Sequence, residues 1–277
     1  MILGELIMKQ RFKNLIKTNK LFKYIPNSLT LCNSLCGFAS VLCALQAYEP
    51  GEIQHLSVYF SISAAVICFA MVFDALDGFA ARIFNAASMH GIQMDSLSDM
   101  VTFGVAPAVL VVVMTDFLHV WKLDTSATIW LYLCGSIYLG GAALRLATYN
   151  VAAIDGSKKN PNWFSGMPSP GAAAALCVLI FLMPRWGDFF KAHPWILPIY
   201  AAFLGFLMVS KVPYLHAGRF LMTIRHNKKR LFAVILLFVA ILIFRLPGLA
   251  VIVTLYVLSG PVIGLYNLVT KKEGALS

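Results

Sequence analysis

A chain of 277 residues that is 60% hydrophobic and only 12% charged, with a mean hydropathy of +0.78, is not a soluble domain, where roughly a quarter of residues are charged. Its formal net charge of +10 would suit nucleic acid, but the bases fall in loops beside apolar runs, so membrane lipids with anionic headgroups are the expected neighbours and nucleic acid is not. The fold class expected is all-α: a polytopic transmembrane helix bundle of about eight spans, preceded by an amphipathic interfacial helix.

Residues 1–25 come first. Lys9, Arg11, Lys13, Lys17, Lys20 and Lys23 alternate with Ile2, Leu6, Ile7, Phe12, Leu15, Ile16, Leu21 and Phe22. No continuous apolar core is present, so this is not a cleavable signal peptide. The pattern suits a basic amphipathic helix on the membrane surface, with a disordered basic tail as the alternative. A single transmembrane domain is expected over 26–270, with a short tail at 271–277. Its apolar runs fall at roughly 29–47, 57–76, 95–117, 127–149, 170–183, 194–210, 231–246 and 248–268, each near the ~20 residues of a membrane span. Leu246-Pro247-Gly248 marks a turn between the last two.

Eight spans put both termini on one side, and loop charge decides which. Of the 22 Lys and Arg residues, 18 fall in the terminal and even-numbered loops, and only Lys122, Arg185, Lys191 and Arg245 fall opposite. The termini should therefore be cytoplasmic. Cys32, Cys36, Cys43, Cys68, Cys134 and Cys177 all lie inside apolar runs and read as small buried hydrophobes.

Four stretches carry candidate chemistry. Pro26-Asn27-Ser28-Leu29-Thr30-Leu31-Cys32-Asn33 opens the first span. Asn27 or Ser28 could cap a helix there, and Asn27, Thr30 and Asn33 could instead line a pocket. The second stretch runs from Asp74 to Asp99. Only twelve acidic residues occur in the chain, and Asp74, Asp77, Asp95 and Asp99 are four of them. Spacings of three and four put each pair on one helix face. The segment from Arg82 to Gly91 can turn the chain back, so four carboxylates can converge between antiparallel helix ends. They cannot all stay ionised at close range without positive charge, and Arg82 is a single local cation. Two divalent ions would balance them, and hard oxygen ligands suit Mg²⁺ or Mn²⁺. Such a pair can stabilise both the attacking and the leaving oxygen at phosphorus.

Asp74, Asp77, Gly78, Ala81, Arg82, Gly91, Asp95 and Asp99 resemble the signature of the CDP-alcohol phosphotransferases, without gap or substitution. The resemblance implies that Asp74, Asp77 and Asp95 bind the metal ions. It makes Asp99 a further ligand or the catalytic base. Asp74, Gly78, Ala81 and Arg82, with Asn27, Thr30 and Asn33, would lie against the cytidine nucleotide.

Arg145 stands in Ala143-Leu144-Arg145-Leu146-Ala147-Thr148-Tyr149-Asn150, at the cytoplasmic end of the fourth span. It either snorkels to the interface or faces the bundle and binds substrate phosphate or an acceptor carboxylate. Gly166-Met167-Pro168-Ser169-Pro170-Gly171 opens the fifth. There Ser169 reads as an N-cap whose helix start could hold an anion. Both segments resemble the serine-accepting, membrane-embedded bacterial branch of the same family, with Met167 in place of a leucine. The activity implied is transfer of the phosphatidyl group of CDP-diacylglycerol to L-serine, with CMP released, by a homodimer. Glycerol 3-phosphate, inositol or inositol phosphate are the alternative acceptors. A transporter or scaffold is the remote alternative, but transporters show repeated halves and midplane sites, and here no repeat appears and the acids gather at one face.

Overall fold

A computed structural model describes residues 24–46, 56–84, 88–118, 124–154, 163–215 and 246–266. The helices are α1 (Tyr24–Leu45), α2 (Leu56–Ile83), α3 (Met89–Asp99), α4 (Ala106–Leu118), α5 (Thr125–Ile154), α6 (Ser169–Ala192), α7 (Ile196–Val209) and α8 (Leu246–Tyr266). A π-helical turn, Met100–Val105, joins α3 to α4 in one continuous rod. Five helices are long and apolar enough to cross a membrane: α1, α2, the α3–α4 rod, α5 and α8. Ser169–Leu182 and Ile196–Val209 are shorter apolar helices. The protein is an all-α integral membrane bundle. The expected surface helix over 1–25, apart from its last two residues, and the apolar run before Leu246 lie outside the described residues.

Helix α1 shows how the bundle is held. Its buried positions are Pro26, Thr30, Asn33, Gly37, Ser40 and Ala44, a stripe of small and polar residues at spacings of three and four. Leu31, Leu35, Phe38 and Leu42 are exposed on the other face. In lipid this inversion is favourable, because small residues let helices approach while large apolar ones meet acyl chains. Ser40 and Ser63 exchange hydrogen bonds across the α1–α2 contact, Oγ to Oγ at 2.8 Å. The α5–α7 crossing is tight for the same reason. A Cβ at Gly205 would lie 2.6 Å from the Ile137 carbonyl oxygen.

The rod is the axis. It packs on α1, α2, α5, α6 and α7. Some 67% of its apolar window is buried, against 28% for α1, α2 and α5, so any acid on it is held by protein rather than by lipid. Phe103, Leu110 and Met114 are its largest fully buried side chains. Pro107 has no N–H to give the Phe103 carbonyl one turn back. Tyr138 of α5 supplies the hydrogen bond instead, its hydroxyl donating to that carbonyl at 2.9 Å.

Three expectations change. The third span begins at Met89 rather than near Asp95, and the acids belong to the rod itself. The fifth runs on to Ala192 through a break at Trp186 (φ −120°, ψ 22°), just before Gly187, and this break kinks the helix without ending it. Two three-residue strands also form, β1 (Trp163–Ser165) and β2 (Pro213–Leu215), antiparallel with Phe164 opposite Tyr214.

Candidate active site

The C-terminal end of α2, the N-terminal end of α3 and the start of α1 meet at one end of the bundle. Helix α3 starts where Ser88, in extended conformation, accepts a hydrogen bond from the Gly91 N–H at 3.0 Å. That cap sets the phase of the helix, and Asp95 and Asp99 follow Gly91 at spacing four. One carboxylate oxygen each of Asp74, Asp95 and Asp99 lies within 4.8 Å of the others. Three acids thus converge from two helices, where the spacing predicts four.

Asp77 stands slightly apart. It is buried, and Thr30 Oγ1 of α1 lies 2.8 Å from its Oδ2. It lines an open cleft of about 130 Å³ together with Pro26, Asn27, Thr30, Gly78 and Ala81 on one side and Ser88, Gly91, Ile92 and Asp95 on the other. Nothing lies within 4 Å of where a Cβ on Gly78 would stand, so the cleft is open beside it. Arg82 turns back along its own helix, its Nε donating to the Gly78 carbonyl at 2.8 Å.

The acids are held chiefly from α1. Asn33 Nδ2 donates to Asp99 Oδ1 at 3.2 Å. Ser98 Oγ donates to the Thr30 carbonyl at 2.8 Å, and Thr102 Oγ1 donates to the Asn33 carbonyl at 2.9 Å. Ser96, between the two acids, donates to Asn150 Oδ1 of α5 at 2.8 Å. Among these, Ser88, Ser96, Ser98, Thr102 and Asn150 escape a sequence reading. Only Ser88 carries a local signal, an extended serine three residues before a helical N–H.

Several expected residues sit differently. Asn27 and Ser28 do not cap α1. The helix is already formed at Tyr24, Pro26 is tolerated in its first turn, and Ser28 Oγ donates back to the Tyr24 carbonyl. Asn27 does reach the cleft, with its Oδ1 near Gly91. Thr30 lines the cleft too, whereas Asn33 is fully buried behind it. Ser169 is not the N-cap of α6 either: Pro168 takes that position with extended dihedrals, and Ser169 is the first helical residue, buried.

Arg145 faces into the bundle rather than out to the interface. Its Nη1 donates to the Met167 carbonyl at 2.6 Å, just before α6 begins. The same turn is fixed by Gly166 N–H to the Val212 carbonyl and Met167 N–H to the Leu207 carbonyl. Gly166 takes φ +80°, a conformation that favours glycine.

The donor set fits a divalent cation. Three carboxylates crowd together, a fourth adjoins them, and carboxylate oxygen is the ligand type magnesium and manganese take.

Comparison with known proteins agrees with this chemistry. A model of the CDP-alcohol phosphatidyltransferase family matches residues 23–207. The CDP-diacylglycerol–serine O-phosphatidyltransferase of Mycobacterium leprae is 31% identical over 191 residues, covering 68% of this chain and 57% of that protein. A protein of the same description from Bacillus subtilis is 33% identical over 195 residues, covering 70% and 90%. One from Helicobacter pylori is 28% identical over 246 residues, covering 88% and 92%. The chain thus spans under two thirds of the mycobacterial relatives' length and nearly all of the other two.

Proposed function

The chain belongs to the CDP-alcohol phosphatidyltransferase family, and from that premise we propose that it transfers the phosphatidyl group of CDP-diacylglycerol to the hydroxyl of L-serine, giving phosphatidylserine and CMP. The observation that carries this reading is the cluster of Asp74, Asp95 and Asp99 beside a cleft floored by Gly78 and Ala81. Relatives described as serine O-phosphatidyltransferases support the acceptor.

In this reading Asp74, Asp77, Asp95 and Asp99 would hold two Mg²⁺ or Mn²⁺ ions. Bound there, divalent cations neutralise the acids and polarise the phosphate oxygens. The nucleotide seats part of itself between Thr30, Gly78, Ala81 and Gly91, where the absence of bulky side chains leaves room for a flat ring. The cleft is smaller than a whole ligand pocket of roughly 300–1,000 Å³, so the lipid end lies outside it, toward the acyl chains. Arg82, one turn beyond Gly78, is the cation assigned to the CMP phosphate. Asp99 takes the proton of the serine hydroxyl. The serine oxygen then bonds to the lipid-linked phosphorus, the bond from that phosphorus to the bridging oxygen breaks, and CMP leaves with the electron pair. Attack is taken as direct, since no histidine or cysteine stands at a fixed position of the signature or among the residues lining the cleft. Rate comes mainly from holding the reacting atoms in register. Arg145 Nη1 holds the Met167 carbonyl, and its guanidinium is the group assigned to the carboxylate of serine, near the buried start of α6 at Ser169. The loop charge bias puts this end of the bundle in the cytoplasm.

The test is an acceptor screen with the purified full chain, CDP-diacylglycerol in mixed micelles and magnesium or manganese, scored by CMP release. Serine should outrun glycerol 3-phosphate, inositol and inositol phosphate. If one of those outruns serine, serine is not the acceptor while phosphatidyl transfer stands.

A further inference from the structure

Asn33 is fully buried and is not among the residues lining the cleft. Its Nδ2 is committed to Asp99, while its Oδ1 finds no hydrogen-bond partner among the described residues. A buried amide oxygen left unsatisfied costs free energy that folding alone does not favour. Turning the amide over would not relieve it, because Oδ1 would then face the Asp99 carboxylate, acceptor against acceptor.

The rest of the residue is fixed in place. Its carbonyl accepts from Thr102 Oγ1. One turn on, Gly37 lets the rod come so near that a Cβ there would lie 2.8 Å from the Thr102 Cα. The π-helical turn starts directly after Asp99, and Ser98, Asp99 and Thr102 on either side of its start all bond to α1. Thr30, one turn before Asn33, meets Asp77 in the same manner.

We propose that Asn33 is a positioning residue: its amide ties one oxygen of Asp99 to α1 and so leaves the other for the cluster with Asp74 and Asp95. It touches neither substrate. It serves the proposed transfer, on which this assignment rests, by holding the carboxylate that takes the proton and completes the cation site. Partners that orient ligating carboxylates commonly change metal affinity or activity by about 10–100-fold when removed.

The experiment compares Asn33→Ala with Ser40→Ala in the purified full chain. Ser40→Ala removes a buried hydrogen bond two turns along the same helix, away from the acids. Turnover with CDP-diacylglycerol and serine is measured beside Mn²⁺ affinity, read by electron paramagnetic resonance. Asn33→Ala should lower kcat about ten-fold or more and weaken Mn²⁺ binding several-fold, with the CDP-diacylglycerol KM changed less than two-fold. Ser40→Ala should keep kcat and Mn²⁺ affinity within two-fold. Should Asn33→Ala not fold, Asn33→Ser, whose hydroxyl is too short to reach Asp99, is read by the same criteria. Wild-type kcat and Mn²⁺ affinity in the Asn33 variant overturn the assignment, and so does an equal loss in both variants. If the wild-type chain transfers nothing to serine yet Asn33→Ala still loses Mn²⁺, the serine reading fails and the positioning role stands. If serine transfer is present and indifferent to Asn33, the positioning role fails and the transfer reading stands.

Discussion

The two polar regions of this bundle are held in different ways. Where α1, α2 and α3 meet, side chains bind side chains as well as backbone: Thr30 meets Asp77 and Asn33 meets Asp99, Ser98 and Thr102 reach carbonyls of α1, and Asp74, Asp95 and Asp99 gather beside them. Where α4, α5, α7 and the turn before α6 meet, side chains bind backbone carbonyls instead. Arg145 holds Met167 and Tyr138 holds Phe103, and nearby Tyr214 of β2 holds Val257 of α8 at 2.9 Å. A carbonyl is present at every residue, so the second region can be fastened almost anywhere and serves to fix helices. Carboxylates at the first region are specific, costly near lipid, and of use only where charge is to be gathered. The first region should therefore fail in chemistry before it fails in folding, and the second the other way round.

Removing an acid gives the largest expected effect. Asp74→Asn and Asp95→Asn should abolish turnover and weaken metal-dependent CDP-diacylglycerol binding. Asp99→Asn should lose turnover while keeping much of that binding. Folding should survive all three, because neutralising one of several crowded carboxylates relieves repulsion. Turnover near the wild-type rate at saturating magnesium or manganese in any of them would break the contrast at its first term. Thermal unfolding in detergent, measured beside CMP release, reads both halves of the claim.

That asymmetry explains what could be read from the chain. The convergence of Asp74, Asp95 and Asp99 was legible because carboxylates repeated at helical spacing share a face, which leaves a pattern. The apolar runs of α1, α2, α5 and α8 were legible for the same kind of reason: lipid demands about 20 apolar residues. The partners were not. Ser98 meets the carbonyl of Thr30 across 68 positions, and Thr102 that of Asn33 across 69; a serine or threonine gives no sign of which distant carbonyl it will find. Asn27 looked like a cap only because a proline before it is compatible with both a helix start and a helix interior's first turn. Ser169 was displaced from its expected cap by the same ambiguity, with Pro168 taking the extended position. The inward face of α1 was half hidden too, since in lipid the polar stripe turns inward and the apolar one outward, the reverse of a soluble helix.

Arg145 belongs to both regions, and its replacement should give the next largest effect. Its Nη1 donates to the Met167 carbonyl, and its guanidinium is proposed to receive the carboxylate of serine. Arg145→Ala should raise the serine KM by about ten-fold or more, a loss of about 1.5–3 kcal/mol for a hydrogen bond to a charged group, while the CDP-diacylglycerol KM moves much less. Arg145→Lys should not restore it, because an ammonium lacks the planar fork that serves two acceptors at once. Serinol, which lacks the carboxylate, should be a poor acceptor for the wild-type chain. A fall in melting temperature with the serine KM unchanged would make Arg145 a carbonyl fastener only and widen the contrast between the regions.

Gly205→Ala tests the fold side directly. The added methyl would meet the Ile137 carbonyl at 2.6 Å and the Tyr138 Cα at 2.8 Å, both backbone atoms that cannot swing aside. Overpacking of this kind costs about 1–3 kcal/mol. The expected result is a lower unfolding temperature with both KM values unchanged. A large rise in either KM would show that the α5–α7 crossing reaches the site, and the separation between regions would be lost.

The smallest effect is expected at Tyr138, and there the fastening logic can be checked by a cycle rather than a single change. Its hydroxyl donates to the Phe103 carbonyl because Pro107 has no N–H to do so. Tyr138→Phe should therefore strand a buried carbonyl and cost about 1 kcal/mol, the low end of the range for an unsatisfied group, with kcat unchanged. Pro107→Ala should lower that cost, because an N–H at 107 can donate to the same carbonyl one turn back. The double variant Tyr138→Phe with Pro107→Ala is then expected to lose less than the sum of the two single losses, a coupling that separate sites would not show. Additive losses would mean that the hydroxyl and the proline answer to different needs. A change in kcat with Tyr138→Phe would say that the rod carries a disturbance at Phe103 back to Asp99, one turn away, and that the boundary between chemistry and scaffold runs through the π-helical turn itself.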